Sequence, residues 1–203
     1  MTSLPMFPLG SVLFPHMPLP LRVFEPRYRA MLQQVLADDV PEFGVVLIER
    51  GQEVGGGDVR LGTGTLARVV HVDTDDEGDA LVIVVVGGER IVVDEWLGED
   101  PFPMARVSRL PDLELRAEDA PLRLRVEAEV RRVLRDSADR GEAEWAPDVR
   151  LADDPAAALW QLAAIAPLGP LDRHRLLRAT SAEDLLVTLL DAVQGIDETH
   201  RFL

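Results

Sequence analysis

Two periodicities divide the chain. From Met6 to Leu110 apolar residues come in short runs and alternations broken by Pro, Gly and Asp, whereas beyond about Ala117 they recur every three or four residues. The first pattern predicts strands and turns, the second helices. Between Met6 and Met31 the chain reads M-F-P-L-G-S-V-L-F-P-H-M-P-L-P-L-R-V-F-E-P-R-Y-R-A-M, and Pro8, Pro15, Pro18, Pro20 and Pro26 each fix φ and remove a backbone donor. No central strand or helix interior is expected through most of this stretch. Its apolar residues are too many for a solvated linker. A stiff, extended ribbon lying on an apolar surface and turning at Gly10 is the expectation. Pro26 then suits a first helical turn, with Glu25 at the positive end of the dipole. Tyr28, Met31, Leu32, Val35 and Leu36 share one face, which predicts a helix from about Pro26 to Ala37.

Phe43 to Ile48 predicts a strand buried on both faces. Gly51 and Gly55-Gly56-Gly57 predict a flexible loop. Leu61 to Val72 reads as a second strand, with Gly62 and Gly64 marking a bulge or a close backbone approach. Asp73 to Asp79 is an acidic turn, and Leu81 to Val86 is the segment expected at the centre of the sheet. Gly87-Gly88 predicts a further turn, after which Ile91 to Trp96 returns antiparallel and Met104 to Leu110 is the last strand. Several strands, short turns and one early helix predict a small, mostly antiparallel barrel over residues 1–115.

Residues 116–203 are expected to form a helical bundle. Asp119 and Pro121 open a helix whose Leu122, Val126, Val130, Val133 and Leu134 share a stripe, with Glu127 and Arg131 paired at i,i+4 and Gly141 as its stop. Asp154 caps a helix beginning at Pro155 and ended by Pro167. A short helix is expected over Leu171 to Arg178. Thr180-Ser181-Ala182-Glu183 reads as a capping box before Leu185, Leu186, Leu189, Leu190 and Val193, with Gly195 past the end.

Charge and composition narrow the chemistry. The 203 residues carry a formal net charge of −15, and the acidic excess runs through both parts, with 9 basic against 19 acidic residues over 1–115 and 12 against 17 over 116–203. Such a chain repels phosphate backbones, so nucleic-acid partners are disfavoured. With no cysteine there are no disulfides, thiol nucleophiles or Cys-ligated metals. All 21 basic residues are arginine. Every mechanism needing a lysine amine is thereby removed, because a guanidinium does not deprotonate at working pH. No apolar run reaches the ~18 residues of a membrane span, and no basic stretch precedes a long apolar run near the start. A cytoplasmic protein without a membrane partner is expected.

No catalytic or cofactor motif stands up. There is no G-x-x-x-x-G-K-[ST] phosphate loop and no G-x-S-x-G elbow. Gly62-Thr63-Gly64-Thr65-Leu66-Ala67 fits G-x-G-x-x-A, but strand sequence follows where a dinucleotide loop needs a helix. Asp73-Thr74-Asp75-Asp76-Glu77-Gly78 matches half a calcium loop, yet Val84 stands at the position of the closing glutamate. His16, His71, His174 and His200 lack metal-ligand spacing. No cofactor, no metal and no enzymatic activity are expected.

F-P-L-G-S-V-L-F-P and L-P-L-R-V-F-E-P-R-Y, together with Glu42 to Ile48, Glu53-Val54-Gly55-Gly56, Gly64 to Ala67, Gly88 to Ile91 and, more loosely, Pro167-Leu168, resemble the Lon protease N-terminal (substrate-binding) domain family. Phe14-Pro15 is followed here by His16, a modest departure. The resemblance implies a PUA-like pseudobarrel for the first part, standing alone without the ATPase and peptidase of a full-length Lon protease, whose Ser-Lys dyad a lysine-free chain cannot build. It implies a non-catalytic module binding exposed or unfolded polypeptide in protein quality control, with an ATP-dependent protease or chaperone as a further partner. Arg22, Glu25, Arg27, Tyr28 and Arg90 match charged or aromatic positions of the family pattern, and are expected to lock ribbon, helix and barrel together. Phe7, Phe14, Met17 and Leu19 are the candidate peptide-binding residues. A PUA-like RNA or small-ligand module is the alternative, against which the charge weighs, and the amphipathic bundle leaves a homodimer open.

Overall fold

The computed structural model describes residues 2–51, 57, 59–75 and 80–201, which form two compact units, Met1–Asp112 and Leu113–Leu203. The first contains β1 (Thr2–Leu9), β2 (Pro18–Val23), α1 (Pro26–Val35), β3 (Glu42–Arg50), β4 (Val59–Thr74), β5 (Leu81–Gly98) and β6 (Met104–Arg109). The second contains a 3-10 turn, Ala117–Asp119, followed by α2 (Ala120–Asp139), α3 (Pro155–Ile165), α4 (Pro170–Leu177) and α5 (Ala182–Arg201). The fold is therefore mixed α+β, with the sheet first and the helices last.

The expected PUA-like pseudobarrel is corrected by the strand ladders. They make one six-stranded mixed sheet in the order β2-β5-β4-β3-β1-β6, with an additional β5–β6 pairing. The β1–β3 pair is parallel and the others are antiparallel. The physical reason lies in β5. No turn forms at Gly87-Gly88, so the two expected strands are one strand of 18 residues. Along one edge it pairs first with β2 (Leu81 to Val86) and then with β6 (Ile91 to Gly98). The extra pairing is this change of partner along a single long strand, and β2 is left at the end of the sheet.

Gly87 has a different task from turning the chain. A Cβ there would lie 2.1 Å from the Phe14 carbonyl oxygen, because residues 14–17 cross it closely. His16 N–H donates to the Gly87 carbonyl at 2.8 Å, and Gly87 N–H donates to that of Met17 at 3.0 Å. His16 itself has φ 62°, following Pro15 in a turn closed by Met17 N–H on the Phe14 carbonyl at 3.3 Å. Gly64 is likewise a close approach, since its Cβ would sit 2.1 Å from the Val45 carbonyl oxygen.

The opening ribbon is also more regular than its prolines suggest. Thr2 to Pro5 pair with β6, and Met6 to Leu9 pair with β3. Each half of β1 thus satisfies one ladder, and Pro5 and Pro8 need no donor on a second side. Strand alternation then sends neighbours to opposite faces. Phe7, Val45 and Ala67 join one buried cluster with Tyr28, Met31, Leu32 and Val35 of α1. Met6, Val46 and Leu66 join a second with Ile91, Ala105 and Val107.

In the second unit the local signals act where they stand. The Asp154 carboxylate accepts from Ala157 N–H at 2.8 Å and starts α3, nearly all of which is buried. Arg131 holds Glu127 at 2.9 Å and donates to the Pro147 and Val149 carbonyls, pinning the segment before α3. At α5 the capping box closes on Asp184 instead of Glu183, with Asp184 N–H on Ser181 Oγ at 3.0 Å and Thr180 N–H on the Asp184 carboxylate at 2.8 Å. Gly195 lies inside α5, not past its end. Glu53 to Gly56, and Asp76 to Asp79 of the acidic turn, lie outside the described residues.

Candidate functional site

β2 hands over to α1 at Phe24-Glu25. Glu25 is the extended N-cap residue, with φ −67° and ψ 134°, and Pro26 enters the first turn with its φ already fixed. The corner leaves a cleft of about 140 Å³, lined by Phe7, Leu9, Pro20, Leu21, Arg22, Val23, Phe24, Glu25 and Tyr28. Its floor is aromatic: the Phe7 and Tyr28 rings stack at 4.2 Å between centroids with 18° between planes, and Phe43 supports Phe7 at 5.9 Å. At the mouth Phe24 is 51% exposed. A hydrophobic residue before an N-cap is ordinarily stapled to an apolar residue at the fourth helical position. Here that position is Arg29, which offers Phe24 no such cover.

The charges around the cleft are tied down. The Glu25 carboxylate accepts from Arg27 Nε at 3.1 Å, and the Arg27 guanidinium lies over the Tyr28 ring, 4.5 Å from its centroid. Arg22 donates to Asp75 at 2.6 Å. Asp75 in turn accepts from Ala80 N–H at 3.1 Å through its other oxygen, while its own N–H donates to the Ala80 carbonyl at 3.0 Å. The rim is thus built from paired charge, and the walls from apolar carbon. The apolar part of the lining suits holding an apolar group. Among the described residues no group of three or more His, Cys, Asp or Glu could hold a metal ion.

The candidate residues separate in space. Phe7, Arg22, Glu25 and Tyr28 line the cleft, and Arg27 braces its wall. Phe14 and Met17 are interior, at 1% and 9% exposure, and Leu19 is half-buried against the core; none of the three lines the cleft. Arg90 is 4% exposed, its guanidinium donating to the Pro111 carbonyl at 2.7 Å and its own carbonyl accepting from Leu110 N–H at 2.8 Å. It anchors the chain as it leaves β6. Burial lowers its pKa from the ordinary value, and the Asp112 carboxylate opposes that shift. Leu9, Pro20, Leu21, Val23 and Phe24 complete the lining without having been singled out in the sequence. The unstapled aromatic before Glu25 is the signal that marks Phe24.

The family model for the ATP-dependent protease La (LON) substrate-binding domain matches residues 3–195. The chain belongs to this family. It is 30% identical over 180 residues to a Lon protease of Phenylobacterium zucineum, an alignment covering 87% of this chain and 22% of that protease. The chain therefore spans about a fifth of that relative's length. Among solved structures, a Lon N-terminal domain protein from Xanthomonas campestris is 30% identical with a TM-score of 0.65, over 94% of this chain and 98% of that one. The N-terminal domain of a Mycobacterium avium complex Lon protease shares the fold at 17% identity, with a TM-score of 0.68 over 95% and 98% of the two chains. The chain corresponds to the non-catalytic Lon substrate-binding module. Among the described residues no helix is long and apolar enough to cross a membrane.

Proposed function

We propose that this Lon-type domain holds exposed or unfolded polypeptide by seating an apolar side chain in the cleft between β2 and α1, presenting it to an ATP-dependent protease or chaperone. The observation that carries this reading is an apolar cleft of about 140 Å³ with a half-exposed phenylalanine at its mouth. The aromatic floor of Phe7 and Tyr28 offers apolar surface for one side chain, while the cleft stays open to water at its rim. One phenyl or isobutyl group is the matching load.

Strand addition at β2 is the competing mode, and the backbone argues against it. Gly87 N–H donates to the Met17 carbonyl, and Met17 lies in register with Gly87, so odd-numbered positions of this strand face β5. Pro18, Pro20 and Arg22 face the open edge, and the prolines have no N–H to give. Recognition therefore falls to side chains in the cleft.

The test is binding of a labelled, permanently unfolded protein to the wild type and to Phe24→Asp. Phe24 is exposed, so the variant is expected to keep its melting temperature while losing affinity by about tenfold, as for a central apolar anchor. Equal capture by a folded Phe24→Asp variant would remove the cleft from consideration.

A further inference from the structure

We propose that the cleft prefers apolar side chains carried on positively charged segments, so that basic stretches of unfolded chain are its ligands of choice. This rests on the cleft being the polypeptide site. The cleft's own rim supplies no preference, because Arg22 is held by Asp75 and Arg27 by Glu25. The surrounding surface does. Residues 1–112 contain 9 arginines and 18 Asp or Glu, a net −9. Arg60, Arg68, Arg106 and Arg109 are also each tied to a carboxylate, those of Glu99, Glu42, Glu95 and Glu89. The arginines are thus largely spent on partners, and the surplus is carboxylate.

Part of that surplus lies near the rim residue Arg22, on the outer face of the sheet. Arg22 and Asp73 both pair in register with Val82 of β5, from opposite sides. Residues in cross-strand register share a face, so the exposed Asp73 stands two strands from Arg22, or about 10 Å. Its carboxylate accepts from Thr74 N–H at 2.8 Å. Roughly a Debye length at 0.1 M salt covers that distance. A segment anchored by one apolar side chain passes its flanking residues through this field, and the net −9 of residues 1–112 acts in the same sense. Acidic flanks are repelled, basic flanks drawn in.

Three labelled peptides decide it by anisotropy: a Phe-Leu core with arginine flanks, the same core with aspartate flanks, and arginine flanks around Ser-Ser. The first is expected to bind at least about tenfold tighter than the second in ~50 mM salt, with the gap shrinking to about twofold in ~0.5 M salt. The Ser-Ser peptide is expected to bind weakly at both, and Asp73→Asn to narrow the gap without changing the melting temperature. Equal binding of the two Phe-Leu peptides, weakened alike by Phe24→Ala, overturns the charge preference and leaves the cleft standing. If the Ser-Ser peptide binds as well as the Phe-Leu one, or if none binds, both the preference and the cleft reading fall.

Discussion

β1 with the residues just after it, and β2 with Phe24, come from one proline-studded segment of similar apolar content, yet they meet opposite fates. Met6, Phe7, Leu13 and Phe14 are core. Pro18, Pro20, Arg22 and Phe24 face solvent. The difference is the number of covered faces: Phe7 packs into one buried cluster and Met6 into the other, whereas β2 buries only the face of Leu19, Leu21 and Val23. β1 is held by β6 along one half and β3 along the other, and Thr65 Oγ1 donates to the Leu13 carbonyl at 2.6 Å, so the first part is enclosed. β2 has β5 on one side only. Composition alone does not decide whether such a ribbon becomes core or surface; the cover on each of its faces does.

The largest effect expected from this contrast is at Phe14. Phe14→Asp places an unpaired carboxylate where a ring fills the interior, and a loss of about 4 kcal/mol or more is expected by denaturant unfolding. Phe24→Asp on the same chain should stay within about 0.5 kcal/mol of wild type. Similar losses for both would abolish the distinction.

Next comes Gly87→Ala, which pushes a methyl group into the Phe14 carbonyl at the crossing of the two parts. A loss of about 2–3 kcal/mol is expected, read in the same unfolding experiment. An unchanged midpoint would mean the crossing is loose.

Arg22→Ala sharpens the comparison from the exposed side. Its side chain is 60% exposed, so the Asp75 pair is worth at most about 1 kcal/mol after solvent screening, and a shift of under that size is expected in thermal melts at low salt. The smallest effect concerns the ligand: N-methylating alternate amides of a bound peptide should leave its Kd unchanged within about twofold, since no strand ladder is formed. A large loss would bring main-chain pairing at β2 back.

These contrasts also explain what could be read in advance. Asp154-Pro155 and the box around Ser181 act on backbone amides within a few residues, so the starts of α3 and α5 were legible. Gly87-Gly88 reads locally as a turn, because the carbonyl that demands Gly87 belongs to Phe14, far away in the chain. β1 reads locally as an irregular ribbon, because proline is tolerated there through a change of ladder partner that no local rule contains. At the cleft, Phe7 stands in the sequence as a candidate for peptide contact, whereas Arg22, Glu25 and Tyr28 match the family motif as residues expected to hold the fold together. Phe14 and Met17, candidates on the same apolar grounds as Phe7, are interior, because burial is a property of the whole fold, not of a residue type.

The proline-interrupted edge of β2 bears on more than ligand geometry. A domain that gathers unfolded chains concentrates at its own surface the segments most able to seed fibrils. With Pro18 and Pro20 withdrawing two donors from it, the β2 margin is a poor template for a client or a second copy to grow on.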